Sequence, residues 1–431
     1  MALNIRHNKQ GFTLSERVDW EGGPEYWEQF PLADAAGWSD PSFFPIGVFL
    51  VKVESGHPAA LASIGINVAM AAEYQPPISN LTDHMFAMIQ SPISHDYQIP
   101  GTGTWSQADV GDDPGVVAWF IYDECEMGEG RCNSTNYPTD AERLAAFQGW
   151  TEDTRAFDDG RFMYANFGNG VLNSFWAVDT MDQWMGTVDA CACDKYAYTS
   201  PNVDFIIDQS LHWPGTIEQA ESASAYGWFV DQMRGFDAAN PSRRPIWGFF
   251  ETQLPYITES GRNIILYAEI EGAVWSAITH EARGICYFQH NGFYEGYGGG
   301  AGGPTVDPNT GLFPNVNGYS LVQGDAALIA YVAAINAKVA SLATVLNTQS
   351  YVFNFGATGV DTMLKVVGGY AYIFTSMAIG GSTGSKTFTL PGTTGTTVEV
   401  IGESRTLPVT AGQFTDSFAA EYTHHVYKVA M

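Results

Sequence analysis

The chain has 431 residues, 45% of them hydrophobic, which is too long for one ordinary domain and suits a full barrel plus a small module. Its 19 Lys and Arg against 47 Asp and Glu give a formal charge of −28, which argues against nucleic acid, an anionic membrane or a polyanion as partner and fits a neutral polysaccharide, or serves solubility alone. Aromatic residues make up 14%, leaving some for a surface on which sugar rings could stack.

No apolar run is long enough to cross a membrane. The start, Met1 to Gln10, is polar and has no apolar leader, so secretion by that route is not expected. Residues 1–42 carry Trp20, Trp27 and Trp38 among Pro and Gly and read as an N-terminal arm packed against the rest of the chain.

From residue 43 an apolar run followed by a polar or helical stretch repeats eight times. The runs are Pro45–Val51, Ile66–Glu73, Met85–Ser91, Val116–Glu124, Phe162–Gly168, Val188–Asp194, Pro245–Thr252 and Gly284–His290. Continuous apolar runs, rather than alternating ones, suit strands buried on both faces. Helical stretches are read at Asp140–Phe147, Ile217–Met233, Ile264–His280 and Asp325–Leu346. The fold class is therefore α/β, a (β/α)8 TIM barrel over residues 43–348. The Gly-rich stretch 291–318 lacks the spacing of a phosphate loop and reads as a flap over the barrel mouth. After 348 helical periodicity vanishes. Runs such as Tyr351–Phe355, Ala371–Phe374 and Thr397–Ile401 make residues 349–431 a C-terminal antiparallel β-sandwich.

The five cysteines show no zinc spacing, and no metal or cofactor is expected. Cys191 and Cys193 share a strand face and are poorly placed to bond each other. Cys125 and Cys132 are the best disulfide candidates, with free thiols the preferred reading.

In a barrel of this kind the reactive groups stand at the C-terminal ends of the strands. The fourth run ends Tyr122-Asp123-Glu124 and the seventh ends Phe250-Glu251-Thr252. Two facing carboxyls suffice for glycoside hydrolysis: one protonates the leaving group, the other attacks the sugar or activates water. The bland alternative is that each acid caps a helix. In these residues, and in the tail Arg405–Phe418 followed by His425–Tyr427, the chain resembles the retaining (β/α)8 glycoside hydrolases with the acid/base after strand four and the nucleophile after strand seven. The resemblance spans residues 43–431. It implies Glu124 as acid/base and Glu251 as nucleophile, with Asp123 where many members have Asn.

Further substrate-binding candidates at strand ends are Asn166, Asp194 and His290. Tyr122 and Tyr196 could hold the nucleophile, and Trp105 and Trp213 could stack on sugars from loops at the mouth. As a rim residue Glu251 is expected to be replaceable by Ala with folding nearly intact. The resulting expectation is a retaining hydrolase of a neutral glycan such as a bacterial cell-wall polysaccharide, similar to barrels in phage tails, with virion tail proteins as partners. Its rival is a glycan-binding or structural tail protein without turnover.

Overall fold

The computed structural model describes residues 14, 16–49, 56–72, 74, 76–94, 104–128, 130–200, 203, 212–240, 242–252, 265–288, 321–322 and 326–431. Eight parallel strands close into a barrel in sequence order: β1 (Ile46–Phe49), β2 (Val68–Ala72), β3 (Phe86–Gln90), β4 (Val116–Asp123), β5 (Phe162–Phe167), β6 (Ala190–Cys193), β7 (Ile246–Glu251) and β8 (Ile285–Phe288). β1 pairs with both β2 and β8, which closes the ring. Nearly every strand residue is buried, as expected where helices cover the outer face and side chains fill the interior.

Among the described residues every strand is followed by a helix: α1 (His57–Ser63), α2 (Ser79–Thr82), α3 (Gln107–Val110), α4 (Asp140–Arg155), α5 (Met181–Met185), α6 (Ala223–Phe236), α7 (Tyr267–Thr279) and α8 (Ala326–Ser341). α4 runs two turns beyond the expected Phe147. Its start is fixed by a capping box: the Thr139 hydroxyl accepts from the Glu142 N–H at 3.2 Å, and the Glu142 carboxylate accepts from the Thr139 N–H at 3.0 Å.

The N-terminal end of the barrel is plugged. Trp27 and Trp38 meet the Phe162 ring at 4.9 and 5.3 Å, and Trp38 stacks on Trp247 at 6.2 Å. These rings join the interior cluster that also holds Phe120, Tyr164 and Phe249. Upstream of them, the Val18 N–H donates to the Ser350 carbonyl and the Val352 N–H to the Glu16 carbonyl.

Beyond α8 the chain forms β9 (Ser350–Tyr351), β10 (Val360–Val367), β11 (Tyr370–Met377), β12 (Gly384–Thr389), β13 (Thr397–Val400), β14 (Arg405–Pro408), β15 (Gln413–Phe418) and β16 (His424–Ala430). Six lie in one antiparallel sheet, ordered β14-β13-β16-β11-β10-β9, and β12 pairs with β15 in a second. Phe388, Phe414, Phe418, Tyr427 and Val398 fill the space between them. The resembling tail forms the last three strands.

The cysteines correct one expectation. Cys125 and Cys132 form a disulfide rather than remaining thiols. Short 3-10 turns at Cys125–Met127 and Gly130–Cys132 fold the segment back on itself, bringing the two Cα atoms to 5.3 Å. Cys191, Cys193 and Cys286 are free and buried.

Candidate active site

β4 reaches its end through a bulge. Phe120 pairs with Tyr164 and Asp123 with Asn166, so β4 spends three residues where β5 spends two. The extra residue resets the alternation. Phe120 belongs to the interior cluster, while Ile121 and Tyr122 pack on the outer one. Asp123 then accepts a hydrogen bond from the Asn166 amide at 2.8 Å. This corrects the role expected of Tyr122. Its ring lies 5.5 Å from Trp150 of α4 and its hydroxyl accepts from the Arg131 N–H at 2.6 Å. It supports the loop after β4 from the helix side.

Glu124 follows with φ 50° and ψ 33°, in the left-handed region, at a cost of about 1 kcal/mol or more for a residue with a side chain. Its N–H donates to the Asn166 carbonyl at 3.0 Å. Its carboxyl rests against Gly168, where a Cβ would collide with both the Glu124 carboxyl oxygen and the Met127 sulfur. The carboxyl of Asp194, just past β6, stands near enough for each charge to act on the other. Two ionised carboxylates so placed repel, which favours a proton on one of them. Burial, followed by the charges of Asp194 and Asp123, raises the Glu124 pKa well above the ordinary carboxylate range. Burial, followed by the charge of Asp123, raises the Asp194 pKa as well, and its Oδ1 is buried with no hydrogen-bond partner. Glu124 stays partly open to solvent.

Glu251, the last residue of β7, is fully buried. Its Oε2 accepts from the Tyr226 hydroxyl at 2.5 Å. Its Oε1 accepts from the Tyr198 N–H at 3.2 Å and the Thr199 hydroxyl at 3.3 Å. Burial raises its pKa, and these donors partly offset the rise. The expectation that Glu251 could be truncated with the fold nearly intact is therefore corrected, since truncation would strand buried donors. Tyr226 lies in the first turn of α6, 25 residues before Glu251, and nothing in the sequence marked it as a partner. Tyr196 stacks on Phe288 at 5.7 Å, and its hydroxyl reaches Asp194 Oδ2 at 3.4 Å. It thus sits beside the Glu124–Asp194 pair.

Lys195, the residue after Asp194, is 3% exposed, its pKa lowered to about 8 by burial despite the opposing pull of Cys193, Asp194, Glu124 and Glu251. Its Nζ makes no hydrogen bond or ion pair among the described residues. Sequence reading missed it, although it directly follows Asp194 at a strand end.

Of the two loop tryptophans, Trp105 is buried. Its Nε1 donates to the Ala72 carbonyl at 3.1 Å and its ring meets Tyr74 at 4.9 Å, so it anchors the loop and offers no face to a sugar. Trp213 is half-buried, donates to the Thr216 carbonyl at 3.0 Å and meets Trp228 edge-on at 5.1 Å. A more open aromatic is Phe175, 53% exposed in the loop after β5, beside Trp176. His290 and the 291–318 flap lie outside the described residues. No group of His, Cys, Asp and Glu suited to a metal ion occurs among the described residues.

The chain is similar to solved glycoside hydrolases at low identity. It matches a β-galactosidase from the psychrophilic Marinomonas at 11% identity and a TM-score of 0.46, over 69% of this chain and 60% of that one. An α-amylase from Anoxybacillus matches at 9% and 0.47, over 90% and 98%. An endoxylanase from Clostridium papyrosolvens matches at 11% and 0.36, over 97% and 98%. The chain spans about 60% of the length of that β-galactosidase. No protein-family model and no curated protein matches it. The barrel rests on the strand pairing above, not on these likenesses.

Proposed function

We propose that the protein hydrolyses glycosidic bonds at the C-terminal mouth of its barrel, with Glu124 as the proton donor. The observation that carries this reading is the placement of Glu124: a carboxyl partly open at a strand end, against Gly168, where burial and the charges of Asp194 and Asp123 favour its protonated form. A general acid needs a proton still present near neutral pH, and burial beside like charge supplies that condition.

The resemblance assigns the nucleophile to Glu251. Its three donors orient the carboxylate, and Oε2 accepts only one of them, which leaves that oxygen a lone pair for attack. A second reading gives the second carboxylate role to Asp194, and the observation favouring it is that Asp194 heads the charges acting on Glu124, while Glu251 is not among the leading ones. A retaining pair stands ~5 Å apart and an inverting pair roughly 6.5–9.5 Å.

The test is release of reducing ends from a panel of neutral and bacterial cell-wall glycans by the wild type, Glu124→Gln, Asp194→Asn and Glu251→Gln. NMR of the first-formed anomer separates retention from inversion. On the proposed reading Glu124→Gln loses at least a hundredfold in kcat. Azide restoring turnover to Glu251→Gln supports Glu251 as nucleophile; azide restoring it to Asp194→Asn moves the role there. A wild type that binds a glycan and never cleaves it overturns the proposal in favour of a binding protein.

A further inference from the structure

Glu126 is two residues past Glu124, between the disulfide cysteines, and is fully buried. Its Oε1 accepts from the Gly168 N–H at 2.6 Å and from the Gly170 N–H at 3.3 Å. Its Oε2 is buried with no hydrogen-bond partner. A Cβ on Gly170 would stand 2.7 Å from the Glu126 Cγ, so the turn after β5 is glycine where it meets this side chain. The same turn presents Gly168 to the Glu124 carboxyl. The 168–170 turn is thus held by Glu126 through two N–H groups and meets the Glu124 carboxyl at Gly168.

A carboxylate serving only as an anchor would have both oxygens satisfied, because an orphaned charged oxygen in the interior is costly. The unpartnered Oε2 instead makes ionisation of Glu126 costly and places that charge, when it forms, beside Glu124.

We propose that Glu126 is a positioning residue for the Glu124 proton: it fixes the turn on which the Glu124 carboxyl rests, and its own charge state sets how tightly that proton is held. This deepens the reading of Glu124 as general acid and rests on it only for its catalytic consequence. The groups that face Glu126 are Asp123 and Glu124 at the end of β4 and Cys193 and Asp194 at the end of β6. Arg143 of α4 lies one step away, against Gly128 and paired with Asp140. Burial moves the Glu126 pKa up to about 7. As pH rises through that value Glu126 becomes negative and Glu124 holds its proton more firmly. The acid thereby remains protonated further into the alkaline range.

The experiment is a carboxyl-carbon NMR titration of protein labelled at Glu and Asp, with the Glu124 and Glu126 signals assigned by their loss in Glu124→Gln and Glu126→Gln. In the wild type the Glu124 curve is expected to carry an inflection at the Glu126 midpoint. In Glu126→Gln, whose amide oxygen can still accept from Gly168 and Gly170, the inflection vanishes and the Glu124 midpoint falls by about one pH unit. A single-step Glu124 curve in the wild type overturns the proposal whether or not the variant folds. An unchanged Glu124 midpoint in folded Glu126→Gln also overturns it. The titration needs no substrate, so inactivity on every glycan would sink the catalytic reading without touching this result. Where a substrate is found, the alkaline limb of kcat/KM should shift with the midpoint, which a purely structural role for Glu126 would not cause.

Discussion

Glu124 could be read from sequence because a long apolar run ends on it, and a carboxyl there has no place in the core. Glu126 could not, because strand alternation stops at Asp123 and only the folded-back 3-10 turn buries it. Tyr122 misled for a related reason: the bulge in β4 inverts the face of the residues just before the site. Tyr226 was hidden because its partnership with Glu251 joins a helix to a distant strand end. That partnership yields a prediction about stability. Glu251→Ala would leave the Tyr226 hydroxyl, the Tyr198 N–H and the Thr199 hydroxyl without their acceptor in a buried setting. The expected loss is on the order of 3 kcal/mol in urea unfolding, with Glu251→Gln losing much less because it keeps an acceptor oxygen. Equal stability of Glu251→Ala and wild type would mean that these bonds contribute little.

At the scale of elements, the eight strands were legible because burial on both faces leaves uninterrupted apolar runs. The short helices α2, α3 and α5 were not, since four or five residues are too few to establish a 3.6-residue period. Nor could the sequence show that the sandwich reaches the barrel mouth. Glu421, in the turn between β15 and β16, accepts from the Tyr198 hydroxyl at 2.6 Å and from the Ala223 N–H at 2.9 Å. It thereby ties the sandwich to the segment whose backbone holds Glu251. The loop after β4 is tied covalently. Opening the Cys125–Cys132 bridge by paired Ser substitution frees a short loop in the unfolded chain, worth about 2.5 kcal/mol in the chain-entropy account. Thermal unfolding of the double variant should show that loss. A drop in Tm too small to measure would mean that neighbouring packing alone fixes the loop.

For the molecule as a whole, the acids divide into two groups with opposite linkage to pH. Glu126 and Glu269 have pKa values raised to about 7, chiefly by burial. Their contribution to stability is complete below the unfolded value and is lost as pH rises through 7. Glu271 and Glu403 are lowered to about 2, where hydrogen bonds and charge from His424 and His425 outweigh burial. Their contribution is complete above the unfolded value and is lost as pH falls through 2. Between pH 2 and 7 the two trends cross, so Tm should peak at about pH 4.5 and decline on both sides. The sequence pI of about 4.4 reinforces the peak, since self-repulsion is least there. A Tm rising steadily to pH 7 would contradict this balance.

The plug at the base of the barrel bears on how the chain must be made. Trp27 and Trp38 leave the ribosome early, yet their partner rings belong to Phe162 and Trp247, and the backbone beside Val18 pairs with Ser350. At ordinary translation speeds the arm waits roughly twenty seconds to a minute for its last partner. Until Trp247 is made, its indoles have only each other and the early rings of Phe43, Phe86 and Phe162 as native partners. The segment that plugs the barrel is therefore made before the strands it seals, and its packing is completed only after the last of them has emerged.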